Sequence, residues 1–256
     1  MTDSDEPARL ARADASTIAY RRLAGKGPGV IFLGGFRSDM EGTKALALEA
    51  ACRARGRAFL RFDYSGHGRS GGNFIEGTIG QWLDDALAVI DRLTEGPQIL
   101  IGSSMGGWIA LLAARARPER LAGLIGIAAA PDFTERLMWD CYPEERRRAL
   151  LRDGIWFEPS QYSEEPYPIT LKLIEEGRRH LLLDGPLPLA VPVRLLQGMR
   201  DPDVPWTHAL DLMRAIVAED ARLTLLGSGD HRLSGPAELA LLCATLDELA
   251  GPAPCR

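Results

Sequence analysis

A serine set between glycines, with aspartates and histidines further along, gives this 256-residue chain the residue types needed to break acyl bonds. Gln98-Ile-Leu-Ile-Gly-Ser-Ser-Met-Gly-Gly-Trp108 reads as a buried strand and a Gly-x-Ser-x-Gly turn (Gly102, Ser104, Gly106). A helix then runs to about Arg117. A serine on so tight a strand-to-helix turn is lifted above the sheet edge, and glycines let neighbouring backbone pass close to it. The helix start aims free N–H groups and a positive dipole end at whatever the hydroxyl attacks. This context marks Ser104 as a candidate nucleophile.

The motif alone does not decide, because Gly68-Arg-Ser-Gly-Gly72 matches it too, and Gly66-His-Gly-Arg-Ser-Gly71 matches the dinucleotide pattern Gly-x-Gly-x-x-Gly. Ser70 is followed by the loop-forming run Gly71-Gly72-Asn73, so no helix opens behind it. Dinucleotide binding requires that helix, and an acidic residue ending the next strand. The next apolar segment, 79–93, instead has helical spacing with Asp84 and Asp85 inside it. These glycines are therefore read as a tight surface turn after a strand over 58–62.

A serine hydroxyl attacks well only when a base takes its proton, and that base is most often histidine. The chain has His67, His180, His208 and His231. In α/β-hydrolases the chain order is Ser, acid, His. His208 leaves no room for a strand after the acid, so His231, in Gly227-Ser-Gly-Asp-His231, is the expected base. The acid lies in Gln197-Gly-Met-Arg-Asp-Pro-Asp-Val-Pro205, where the Gly-x-x-Asp turn ahead of Val-Pro favours Asp201 over Asp203. Asp230, beside His231, ranks last. A developing oxyanion needs two backbone donors, one after the nucleophile and one after an early strand. Met105 supplies the first and Phe36, in Leu33-Gly-Gly-Phe36, the second. The isolated histidines have no ligand spacing, so neither a metal nor a cofactor is expected.

The elements that must carry these residues alternate along the chain. Strands are expected over 30–33, 58–62, 99–101, 124–128, 193–196 and 223–226, with helices over 43–53, 79–93, 108–117 and 236–249. This alternation predicts a mostly parallel sheet with helices on both faces, in one α/β domain over 1–256. Ligands of such sheets bind beyond the carboxyl ends of the strands, where Ser104 lies.

About 60 residues separate the strand ending near Ala129 from the one starting at Val193, far more than an ordinary loop. The insertion, about 131–190, reads as a lid with helices over 144–152 and 170–182. It holds Phe133, Trp139, Tyr142, Trp156, Phe157, Tyr162 and Tyr167. These rings can line a pocket or form the lid's own core. Trp139 and Trp156, with Trp108 of the elbow helix, are candidate substrate-binding rings.

Hydrophobic residues make up 46% and charged residues 25%, an ordinary globular composition. A net charge of −5 with no broad basic cluster argues against a nucleic-acid partner. Cys52, Cys141, Cys243 and Cys255 are scattered, which points to a reducing compartment. The acidic start Met1-Thr-Asp-Ser-Asp-Glu-Pro has no apolar core, and no run approaches the roughly 18 residues of a membrane span. Together these predict a cytoplasmic protein without stable membrane insertion.

Several stretches resemble a known family. They are Gly42-Thr-Lys-Ala-Leu46, Arg61-Phe-Asp-Tyr-Ser-Gly66, Gly96-Pro-Gln-Ile-Leu100 with the elbow, Gln161-Tyr-Ser-Glu-Glu165, 195–206 and Asp230-His-Arg232. Over about 29–249 the chain is similar to the mitochondrial abhydrolase-domain palmitoyl-protein thioesterases, or acyl-glucuronide esterases, and their bacterial relatives. The resemblance implies an α/β-hydrolase fold with an inserted lid and a Ser104–Asp201–His231 triad. It also implies hydrolysis of long-chain acyl thioesters or esters, on small-molecule or acylated-protein substrates. Two other functions share these residues or this scaffold: carbon–carbon bond hydrolysis, and ligand binding without catalysis.

Overall fold

The computed structural model describes residues 6–12, 16–159 and 165–251. Tyr162, Cys255 and most of the Gln161-Tyr-Ser-Glu-Glu165 stretch lie outside them.

Eight strands form one sheet. In chain order they are β1 (Ala8–Ala11), β2 (Thr17–Leu23), β3 (Lys26–Leu33), β4 (Arg57–Phe62), β5 (Gln98–Ser103) and β6 (Leu121–Ile127). Two further pairs belong to or follow the insertion: β7 (Ile155–Glu158) with β8 (Tyr167–Thr170), and β9 (Leu187–Pro188) with β11 (Ile216–Val217). Then β10 (Val193–Gly198) and β12 (Ala221–Leu226) complete the large sheet, whose order is β1-β2-β4-β3-β5-β6-β10-β12. From β4 to β12 every neighbour is parallel, while β1 and β2 join antiparallel at one edge. That edge was not expected from the sequence. Thr17-Ile-Ala-Tyr-Arg-Arg-Leu23 buries only Ile18 and Ala19, so it has no continuous apolar run.

The central strands are buried on both faces because successive side chains serve different layers. Val30 and Phe32 of β3 point with Ile99 and Ile101 of β5 into one core, shared with α1 (Thr43–Ala54) and α7 (Pro236–Ala250). Ile31, Leu33 and Leu100 point into the other. There they meet α2 (Ile79–Leu93), α3 (Met105–Ala116) and, further along, α6 (Trp206–Ala215). Thr78 caps α2, its Oγ1 accepting the Gln81 amide at 3.2 Å. In α3 every residue from Met105 to Ala114 is buried. An all-round apolar helix of this kind belongs inside a protein, here between the sheet, α2 and the insertion.

The insertion joins β6 to β10. It opens with a π-helical segment, Thr134–Trp139, followed by α4 (Glu144–Asp153), the β7–β8 hairpin and α5 (Leu171–Gly177). The helix expected over 170–182 is shorter: it ends in a 3-10 turn, Arg178–His180. The next amides are claimed elsewhere, because the buried carboxylate of Asp132 accepts Leu182 N–H and Leu183 N–H at 2.8 Å each. One residue thereby ties the first and last parts of the insertion together. Among the described residues no helix is long and apolar enough to cross a membrane.

Candidate active site

Parallel register delivers three loops to one place. Ser103 stands beside Ile127, Ile127 beside Leu196, and Gly198 beside Leu226, so β5, β6, β10 and β12 end side by side. Ser104 follows β5 with φ 54° and ψ −118°, a conformation rare for a residue with a side chain. Its amide donates to Ile127 O at 2.9 Å, and its carbonyl accepts Gly107 N–H at 2.8 Å and Ala130 N–H at 3.1 Å. A Cβ on Gly102 would strike the Gly106 carbonyl, and one on Gly106 would strike the carbonyls of Leu33 and Gly34. The two glycines thus press the elbow against the loop after β3, which carries Phe36.

Asp201 and His231 come from the loops after β10 and β12. Arg200 N–H donates to Gly229 O at 2.9 Å, joining the two loops directly. His231 Nδ1 lies 2.8 Å from Asp201 Oδ2, and its Nε2 lies 3.1 Å from Ser104 Oγ. Asp201 accepts three further hydrogen bonds: the Asp203 and Val204 amides on Oδ1 and the Gln197 amide group on Oδ2. Burial pushes its carboxyl up. The His231 hydrogen bond and charge, with the two amides, outweigh that and hold it below its ordinary value.

The competing candidates are placed apart from this chain of contacts. Asp203 turns the loop through its amide, and Asp230 Oδ1 accepts Leu233 N–H at 3.0 Å. Asp201, Asp203 and His231 do put three ligand-type atoms within 4.8 Å of one another. Four hydrogen bonds on Asp201 and its direct bond to His231 are the geometry of an acid–base pair. His208 bonds Pro131 O at 2.8 Å, His180 bonds Glu176 at 2.6 Å, and Ser70 Oγ bonds Asp63 O and the Ala19 amide.

Ser104 and His231 face a cavity of about 840 Å³, large enough for a substantial organic ligand. Phe36, Met105, Phe133, Leu137, Met138 and Ile169 give it apolar walls. Arg37, Lys44, Asp203 and Arg232 give it charged ones. Burial brings the Lys44 ammonium down to about 8, and its Nζ donates to the carbonyl of Arg232, the residue after His231. Sequence reasoning quoted the Gly42-Thr-Lys-Ala segment without giving Lys44 a contact. Only the fold brings the first turn of α1 against the His231 loop.

None of the three tryptophans expected to bind substrate lines the cavity. Trp108 is fully buried, its Nε1 donating to His180 O at 3.1 Å and its ring edge-on to Phe133. The helix turns it away from Ser104, toward α2 and the insertion. Trp139 and Trp156 pack with Tyr142, Leu150, Ile169 and Ile174 in the lid's own small core, and cover themselves with Arg147, Arg178 and Arg146. Phe133, Tyr142 and Tyr167 are the insertion's aromatics on the cavity wall, whereas Phe157 is exposed.

Comparison with known proteins agrees with this arrangement. The family model for serine aminopeptidase, S33, matches residues 29–151. The bovine mitochondrial palmitoyl-protein thioesterase ABHD10 is 45% identical over 241 residues, covering 94% of this chain and 78% of the relative. A hydrolase structure from Agrobacterium vitis S4 is 41% identical with a TM-score of 0.92, over 96% of this chain and 99% of the other. Mouse alpha/beta hydrolase domain-containing protein 10 is 44% identical with a TM-score of 0.89, over 95% and 97%. The parallel sheet, flanking helices and strand-end site thus define an α/β-hydrolase, an enzyme of ester or thioester hydrolysis. Within that class the chain belongs to the family of the palmitoyl-protein thioesterase ABHD10.

Proposed function

We propose that this enzyme hydrolyses fatty-acyl thioesters or esters through an acyl-enzyme on Ser104. The observation that carries the reading is the continuous contact from Asp201 through His231 to Ser104, at the foot of a cavity with apolar walls. Relatives named palmitoyl-protein thioesterase support the fatty-acyl class.

In this mechanism His231 is neutral, its Nδ1–H donating to Asp201 and its Nε2 accepting the Ser104 hydroxyl. As Oγ attacks the acyl carbon, the proton passes to Nε2 and Asp201 stabilises the imidazolium that forms. The Phe36 and Met105 amides donate to the new oxyanion; Met105 opens α3, so its N–H has no acceptor within the helix. Collapse expels a thiolate or alkoxide, which takes the proton from His231. Water then enters, gives its proton to His231 and attacks the ester of Ser104. Release of the carboxylic acid restores the serine.

The described cysteines, Cys52, Cys141 and Cys243, are free thiols, which supports a reducing, cytoplasmic setting. The test is a fluorophosphonate label, read by peptide mass, together with turnover of acyl thioesters. Ser104 is expected to carry the label, and Ser104→Ala to lose both label and turnover. Label on another serine, or full turnover by Ser104→Ala, overturns the reading.

A further inference from the structure

The Gly66–Gly72 turn matches two motifs and serves neither, yet it is not the plain surface turn expected. His67 is only 3% exposed, packed edge-on against Tyr64, Phe74 and Trp82. Its Nδ1 lies 3.3 Å from Ser65 O, and its Nε2 accepts the Arg37 amide at 3.3 Å. One proton arrangement satisfies both contacts: a neutral ring with hydrogen on Nδ1 and a lone pair on Nε2. Burial enforces that neutral state, bringing His67 down to about 4 against the pull of Ser65 O; the nearby Arg37 charge adds to the lowering.

Arg37 is the residue after Phe36 and holds φ at 58°, a left-handed conformation that its surroundings must maintain. Three further contacts fix the same loop. Ser38 donates to Gly35 O twice, from its Oγ at 2.7 Å and its amide at 3.2 Å. Asp63, at the end of β4, accepts Met40 N–H on Oδ1 at 2.7 Å and Arg69 N–H on Oδ2 at 2.8 Å, bridging loop and turn. A Cβ on Gly68 would collide with that carboxylate. The Gly35–Phe36 peptide is planar and trans, so its C=O and N–H point opposite ways. Anchoring Gly35 O from Ser38 therefore sets the direction of the Phe36 N–H, while His67 and Asp63 hold residues 37 and 40 beyond it.

We propose that the glycine turn is a clamp on the oxyanion loop, in which His67, Asp63 and Ser38 act as positioning residues for the Phe36 amide. The proposal rests on Ser104 being the nucleophile. A donor displaced by as little as about 1 Å can cost on the order of 100-fold in rate.

The experiment compares kcat, KM, melting temperature and affinity for octylboronic acid, whose tetrahedral serine adduct places an oxygen where the oxyanion forms. Ser38→Ala, at an exposed position, and His67→Leu should each lower kcat roughly 10- to 100-fold and weaken boronate binding in proportion. KM should stay within about threefold, since ground-state contacts are untouched. His67→Gln, whose side-chain oxygen accepts the Arg37 amide, should regain most of the loss. Ser38→Ala with kcat and boronate affinity within twofold of wild type overturns the proposal, and decides it even if His67→Leu fails to fold. If Ser38→Ala behaves as expected and a folded His67→Leu does not, the turn's part is overturned. Wild type that fluorophosphonate does not label at Ser104 removes the parent reading and this proposal with it.

Discussion

Asp201 and His231 are 30 residues apart in the chain and 2.8 Å apart in the fold, and both of the acid's oxygens are occupied by donors. The acid is therefore fixed in place before it orients the base. Asp201→Asn keeps the shape but presents an N–H or a neutral oxygen to Nδ1, so His231 loses the tautomer it needs. The expected loss in kcat is about 10⁴-fold at neutral pH. Asp203→Asn should stay within about threefold, because Asp203 contributes its amide to Asp201. Equal losses in the two variants would show that the wrong carboxylate has been assigned.

The elbow predicts a packing effect. Gly106→Ala places a methyl against the Leu33 and Gly34 carbonyls, in a loop that cannot yield without moving Phe36. Activity should fall at least about 100-fold. Stability should drop by roughly 1–3 kcal/mol in urea titrations, as overpacking does. A soluble Gly106→Ala enzyme with wild-type kcat would contradict the close approach.

His67 gives a signed pH effect. Its folded value, about 4, lies below the ordinary histidine value, so the unfolded chain binds the proton more readily. The stability of the neutral ring is fully present above about pH 6.5 and is lost as pH falls toward 4. The full difference is about 3 kcal/mol. His67→Leu has no such proton to bind. Its melting temperature relative to wild type should therefore rise as pH is lowered from 7 to 4.5. A constant difference across that range would show that His67 is not held neutral by burial.

Legibility of these features followed how local their causes are. Ser104, Asp201 and His231 could be placed because turn chemistry and chain order constrain them within a few residues. The continuous apolar runs of β3, β5 and β6 announced strands buried on both faces. β2 stayed hidden because its partner β4 lies about 40 residues further on, and two buried residues make no pattern. The tryptophans misled for a related reason. An aromatic ring in a lid announces burial, but which side it faces depends on helix phase. Here α4 and the hairpin turn Trp139 and Trp156 into the lid core, and leave Phe133 and Tyr167 to the cavity. His67 looked like a loop residue because its neighbours are glycines, while its burial comes from Trp82 and Phe74.

That sorting of the aromatics yields a prediction about chain length. Phe133 is 7% exposed, lines the cavity and meets Phe36 edge-on, so it walls the space next to the presumed acyl site. Each methylene that an acyl chain buries contributes about 0.8 kcal/mol, so even three or four added carbons should raise kcat/KM by one or two powers of ten. Acetyl, butyryl, octanoyl and palmitoyl thioesters, kept below their micelle concentrations, should therefore form a rising series. Phe133→Ala should flatten that series by removing wall contacts from the longer chains. Trp139→Phe should lower the melting temperature and leave the slope alone, because its ring packs inside the lid. A flat or falling wild-type series would exclude fatty-acyl chains and leave an esterase for small acyl groups. A rising series that Trp139→Phe flattens and Phe133→Ala does not would place the acyl chain within the lid core instead.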